Sequence, residues 1–357
     1  MNNSMNYHSI LAPYLKSHIE RRMALGLKCE QDKWIYKEFD EHMVSVKHDR
    51  EYLAKEDYNL WYNRISIGSK TNTIYTKVST IRRFLVFLSQ QGHECYIPRM
   101  PKKHDTGFIP YIYSKDEMTA IFKAVDELRL KEHHAESIII ILPALIRLLY
   151  STAIRISEAL NIRMRDVDFD RHVILIVKTK NGSERLAPIN DSMEAVLRQY
   201  LRYRSKLHFT SLLSPDSYLF VSSLGKQCTR SCVLRWFSKI RQAAGISYKG
   251  NHEGPRVHDL RHTACCHSLS NLASEGKDVY CSLPVMATFM GHKKVMNTEH
   301  YLRLTQEMYP ELIRLDESVT ASISTVILHC RNNSVSITHN NSAMFFFKFF
   351  CLVTFFR

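Results

Sequence analysis

From residue 7 to about 92, apolar side chains recur at three- and four-residue intervals: Ile10, Leu11, Tyr14, Leu15 and Ile19, then Trp34, Ile35, Phe39 and Met43, then Val78, Ile81, Leu85 and Leu88. That period places one apolar stripe on each helix, and such stripes bury against one another. Gly68 and Gly92 fall where the last two runs would stop, because glycine readily takes the backbone conformation that ends a helix. The pattern predicts an all-α bundle of about four helices over residues 1–92.

The periodicity dissolves in HECYIPRMPKKHDTGFIPYIY, residues 93–113, which holds Pro98, Pro101, Pro110 and the basic pair Lys102 and Lys103. Proline withholds helix hydrogen bonds, so an extended basic linker is expected, either a strap for a phosphate backbone or a plain solvated connection. Order returns at Ser114, where S-K-D-E supplies an N-cap serine with a glutamate three residues on, the reciprocal box that starts a helix.

A second domain over 114–315 follows. A helix is expected at about 115–129, then a strongly apolar one ending near Tyr150, then three more at about 192–207, 229–244 and 257–274, the middle one of these three closed by Gly245. HVILIVKTK and SERLAPI flank Asn181-Gly182, the dipeptide suited to a type I′ turn, and predict a β-hairpin. YLFVS reads as a further short strand. The fold class is mainly α with a small β-sheet (α+β). The tail, 316–357, shows no clear pattern, and AMFFFKFFCLVTFFR, interrupted by Lys348, is too short for a membrane span.

With 357 residues, 45% of them hydrophobic, the chain can bury a core in each domain. Lys and Arg exceed Asp and Glu by 14, spread along the chain, which points to a polyanionic partner, although a solvated basic surface gives the same count. The nine cysteines form no C-x-x-C pair and no signal sequence opens the chain, so reduced thiols in a cytoplasmic protein are expected.

Four local signals bear on chemistry. Arg155 and Glu158, three apart on an expected helix, form at least a surface ion pair. Lys180, just before the hairpin turn, could enter a DNA groove or only guard a sheet edge. His258 and His262 have the spacing of a zinc helix, but Asp259 replaces its glutamate and Arg261 would set a cation beside the metal. His292 and Tyr301 taken alone suit a structural histidine and a core aromatic.

Taken in order, the series resembles the tyrosine recombinase (phage integrase) family from about Ser114 to about Pro310, and more loosely the helical module before it. Arg155 matches the arginine of T-G-x-R-x-x-E, written here T-A-I-R-I-S-E. Lys180 matches the hairpin lysine, His258 and Arg261 the H-x-L-R-H box, His292 the L-G-H box, here M-G-H, and Tyr301 the nucleophile. Ala153 replaces the usual glycine. The stretch from Arg261 to His292 is long, like that of recombinases from transposons and integrative elements.

The resemblance implies a core-binding bundle of the SAM-like type and a catalytic domain that close as a clamp on double-stranded DNA, acting as a tetramer in the cytoplasm at the nucleoid, with no membrane partner. Tyr301 would attack a phosphodiester and hold the 3′ end covalently, which phenylalanine could not do. Arg155 and Arg261 would clamp the phosphate oxygens, joined by His258 and His292. Lys180 would protonate the leaving oxygen, His258 would accept the tyrosine proton and Glu158 would support the site. No metal or other cofactor is implied. Lys70, Lys77, Arg82, Arg83, Lys102, Lys103, Arg230, Arg235 and Lys239 are candidate DNA contacts. The expected role is movement of a mobile element. The alternatives are chromosome resolution, strand passage of the topoisomerase IB kind, or a DNA-binding remnant that no longer cuts.

Overall fold

The computed structural model describes residues 6–102, 109–128, 137–177, 184–250, 254–292, 295, 296, 298, 299 and 301. Two compact units divide the chain, Met1–Phe108 and Ile109–Arg357.

Unit 1 holds four helices: α1 (Ala12–Ala24), α2 (Glu30–Ser45), α3 (Lys55–Ser66) and α4 (Thr71–Gln90). Their stripes meet in a core built on Leu11, Leu15, Tyr36, Phe39, Met43, Trp61, Ile81, Phe84 and Leu85. Trp34, read from the sequence as part of the α2 stripe, is instead 58% exposed, and Tyr36 is buried in its place. Trp34 faces the Lys77 ammonium, 5.7 Å from the ring centre, and that polar environment suits an indole left at the surface. Gly68 and Gly92 both have positive φ just beyond the ends of α3 and α4. Residues 95–97, outside any helix or strand, pack against this bundle, with Tyr96 N donating to Leu53 O at 2.8 Å.

Unit 2 begins at α5 (Lys115–Asp126), whose N-cap Ser114 Oγ accepts from Glu117 N while Glu117 Oε2 accepts from Ser114 N. It continues through α6 (Leu142–Thr152), the short α7 (Ile156–Ala159), strands β1 (Val167–Asp168), β2 (Val173–Ile176) and β3 (Arg185–Pro188), then α8 (Asp191–Arg204), α9 (Arg230–Ala243), α10 (Asp259–Ser274) and α11 (Val279–Met290). The sheet is antiparallel in the order β1-β2-β3, with Ile176 opposite Arg185. The expected hairpin strands therefore pair, while its turn at Asn181-Gly182 lies outside the described residues.

Two readings of unit 2 change. YLFVS makes only isolated bridges, Arg163 to Tyr218 and Val221 to Gln227, because its buried Leu219, Phe220 and Val221 fill the core from a loop rather than extend a ladder. And α11 occupies the stretch that carried no helix prediction. It contains Pro284 at its sixth position, where the ring leaves the Tyr280 carbonyl without its helical hydrogen bond, and starts on Asp278, whose Oδ1 accepts from Tyr280 N and Cys281 N. Among the described residues, no helix is long and apolar enough to cross a membrane. The phenylalanine-rich end of the chain lies outside them.

Candidate active site

Helix α6 ends on Ala153, a residue in the left-handed conformation at φ +49°. The reversal delivers Arg155 to the N-cap of α7. There Glu158, buried, accepts from the Arg155 backbone N at 3.0 Å and from Arg155 Nη1 at 2.8 Å. Oε2, the oxygen that takes the Arg155 backbone N, also accepts from Arg185 Nη2 of β3 at 2.8 Å. Burial alone would raise the Glu158 pKa, but the hydrogen bonds from Arg185 and Arg155 outweigh it and lower the pKa. The sequence did not single out Arg185. Only its place on the returning hairpin strand, beside the box that holds Arg155 and Glu158, could have drawn attention to it.

Arg261 comes from the first turn of α10 and is buried. It donates to the carbonyls of Ala153 and Met290, and its Nη2 lies 3.1 Å from His292 Nε2. Burial first, and then the nearby Arg155 charge, lower its pKa to about 10, so it remains a cation at neutral pH. A guanidinium can only donate, so His292 Nε2 accepts and Nδ1 carries the ring hydrogen, 2.8 Å from Thr298 Oγ1. Burial and the cations Arg261, Arg155 and Arg185 hold His292 near a pKa of about 4.

His258 caps α10 and keeps an exposed edge, yet the protein packed around it, then the Arg261 charge, lowers its pKa to about 4 as well. With Arg155, Arg230, Arg241 and Arg256 it lines a cleft of about 570 Å³, a cationic groove of a size to take backbone phosphate. The His258 and His262 rings meet edge to face, their centroids 4.9 Å apart and their planes at 87°.

Tyr301, 4% exposed, packs with Ala153, Cys265, Cys266, Met286 and Met290. Its hydroxyl lies 2.8 Å from His262 Nδ1, and its ring stacks parallel to that of His292 at 6.1 Å. Burial raises the phenol pKa, whereas the charges of Arg261 and Arg155 lower it. The fold thus brings Arg155, His258, Arg261, His292 and Tyr301 to one place, with Glu158 beneath Arg155. Lys180 lies outside the described residues. In sequence His262 offers only its spacing to His258, whereas the fold sets it against the Tyr301 hydroxyl.

The candidate DNA contacts divide. Lys77 Nζ is 2.6 Å from Glu38 Oε1, and Arg83 pairs with Asp32 at 2.9 Å, so both head groups are engaged within the bundle; Arg82 Nε donates to Pro98 O. Lys70, Lys102, Arg230, Arg235 and Lys239 are exposed. Lys103 lies outside the described residues.

The protein y4rB of Sinorhizobium fredii, described as an integrase/recombinase, is 28% identical over 306 residues, covering 84% of this chain and 95% of its own. Tyrosine recombinase XerC of Oceanobacillus iheyensis is 28% identical over 243 residues, covering 66% of this chain and 71% of its own. The fold is shared with the Tn1549 transposon integrase in complex with transposon right end DNA (TM-score 0.57, 16% identity, 84% and 98% covered). It is shared too with a lambda integrase tetramer bound to a Holliday junction (TM-score 0.56, 18% identity, 82% and 79% covered). Residues 113–308 match the model of the phage integrase family. With that span matched, the chain belongs to the phage integrase family, the tyrosine recombinases.

Proposed function

We propose that this protein is a site-specific recombinase that cuts and rejoins double-stranded DNA through a covalent 3′-phosphotyrosine at Tyr301, in the service of a mobile element. The observation that carries the reading is the gathering of two arginines and the Tyr301 phenol: Arg261 Nη2 lies 3.1 Å from His292, whose ring stacks on that of Tyr301, while Arg155 opens onto the cationic cleft. A scissile phosphate there meets fixed cations as charge builds on its non-bridging oxygens. Lys180 is assigned the general acid on its match to the family lysine.

Lys70, Lys102, Lys103, Arg230, Arg235 and Lys239 are assigned to the DNA backbone, with affinity drawn from counterion release. Assembly as a tetramer, and the division into domains 1–92 and 114–315 joined by a linker, complete the reading. The name of y4rB and its coverage favour an integrase role; the XerC relatives keep chromosome resolution as a second reading.

A nicked suicide substrate tests the chemistry. The wild-type protein should form a tyrosine-linked adduct, and Tyr301→Phe should bind the same DNA and form none. An adduct surviving in Tyr301→Phe removes Tyr301 as the nucleophile. Mapping the ends of the encoding element would decide between integration and chromosome resolution.

A further inference from the structure

We infer that His262 is the base that takes the Tyr301 proton during cleavage, an inference that rests on the recombinase reading. Three imidazoles lie in the site, and the geometry separates them: the rings of His262 and His292 face that of Tyr301, whereas the ring of His258 meets His262. His292 has no lone pair to give, since Nε2 accepts from Arg261 and Nδ1 holds the hydrogen directed at Thr298. His258 sits at the helix cap, on the wall of the cationic cleft, where a phosphate oxygen would be its neighbour. His262, one turn further along α10, stands with Nδ1 2.8 Å from the phenol oxygen, within the reach required of a general base.

The phenol needs such a partner. Tyr301 is enclosed by Cys265, Cys266 and Met290, and burial disfavours its ionised form more than the arginines favour it. In the step, the Oη–H bond breaks and Nδ1 of neutral His262 gains the proton. The Oη–P bond forms, the P–O5′ bond breaks, and O5′ takes a proton from Lys180. In rejoining, the 5′ hydroxyl attacks phosphorus and gives its proton back to Lys180, while the departing phenolate recovers its own from His262.

Asparagine distinguishes a base from an anchor, because its side-chain oxygen falls near the place of Nδ1 and accepts a hydrogen bond but not a proton. Single-turnover cleavage of the nicked suicide substrate should slow about 10²–10⁴-fold in both His262→Asn and His262→Leu, with DNA binding unchanged. The wild-type rate should fall as acid protonates the imidazole, and this inflection should be missing from His262→Asn. The charged and titratable groups facing the pair are His258, Arg261 and the thiols of Cys265 and Cys266 from α10, Arg155 at the N-cap of α7 and His292 beyond α11. His258→Asn should therefore keep the inflection assigned to His262.

Cleavage by His262→Asn at the wild-type rate, with a wild-type pH profile, would reduce His262 to an anchor and overturn the inference. So would unimpaired cleavage by His262→Leu. Should the leucine variant fail to fold, the asparagine variant decides alone. Absence of any adduct with the wild-type protein, or an adduct in Tyr301→Phe, would instead overturn the recombinase reading.

Discussion

Arg261 reaches back along the chain to Ala153: its Nη1 donates to the carbonyl of a residue 108 positions earlier. The contact ties α10 to the turn that orients Arg155, so the two arginines are fixed by one backbone unit. That carbonyl is presented by an alanine at φ +49°, a conformation that costs an L-residue about 1–2 kcal/mol relative to glycine.

Ala153→Gly should relieve this strain. Glycine also gains freedom in the unfolded chain, worth about 0.4–1 kcal/mol against it, so the net stabilisation is expected at about 0.5–1 kcal/mol. Urea unfolding measures it. A midpoint lowered by the substitution would mean that the alanine methyl, fully buried against the Tyr301 cluster, contributes more packing than the strain costs.

Gly291 is the opposite case. It closes α11 at φ +66°, and a Cβ there would lie 2.8 Å from Arg185 Nη1. Gly291→Ala should cost at least about 1–2 kcal/mol of backbone strain and displace Arg185 from Glu158. Cleavage should then fall together with stability, because Arg155 loses the far end of its brace. Full activity in this variant would show that Arg185 is not needed to hold Glu158 in place.

These two positions show what the sequence made legible. The box at Ser114, the stripes of α1 and α4 and the paired strands β2 and β3 follow from local period and capping, which are written within a few residues. Strand β1 spans two residues, and α11 lacks a one-sided stripe and contains Pro284, so neither carries a readable period. The motif residues were found by their order along the chain, yet the role of His262 needed the return of the chain to bring Tyr301 beside it. Likewise Lys77 and Arg83 look alike with Lys70 in sequence; only folding supplies Glu38 and Asp32 to two of them.

Arg261→Lys should be damaging although it keeps the charge. The guanidinium serves the carbonyls of Ala153 and Met290 and the His292 ring at once, and an ammonium on a shorter, rounder head cannot span all three. Leaving a buried acceptor unmet costs about 1–3 kcal/mol. Adduct formation should fall about 10²–10³-fold, the usual scale for one misplaced charge-stabilising donor. Near-normal single-turnover cleavage would remove Arg261 from the phosphate clamp.

Acid should loosen unit 2 before its carboxylates titrate. His258, His267 and His292 are each lowered by burial to a pKa of about 4, against an ordinary value of 6.5. Between those values the unfolded chain binds protons that the folded one refuses, so the stability they confer is complete above about pH 6.5 and drains away as pH falls toward about 4. Glu158, whose pKa is lowered from 4.5, adds its loss only below that value. Urea midpoints for unit 2 should therefore drop between about pH 6.5 and 4.5. His267→Gln should flatten the drop: His267 Nδ1 is 2.8 Å from the Tyr150 hydroxyl, outside the cluster proposed for catalysis, so the change removes one titrating group without touching the others. A midpoint that stays level across this range in the wild-type protein would mean that these imidazoles are charged in the fold. The hydrogen bond from Arg261 Nη2 to His292 Nε2 would then have to be withdrawn, because an imidazolium has no lone pair to accept it.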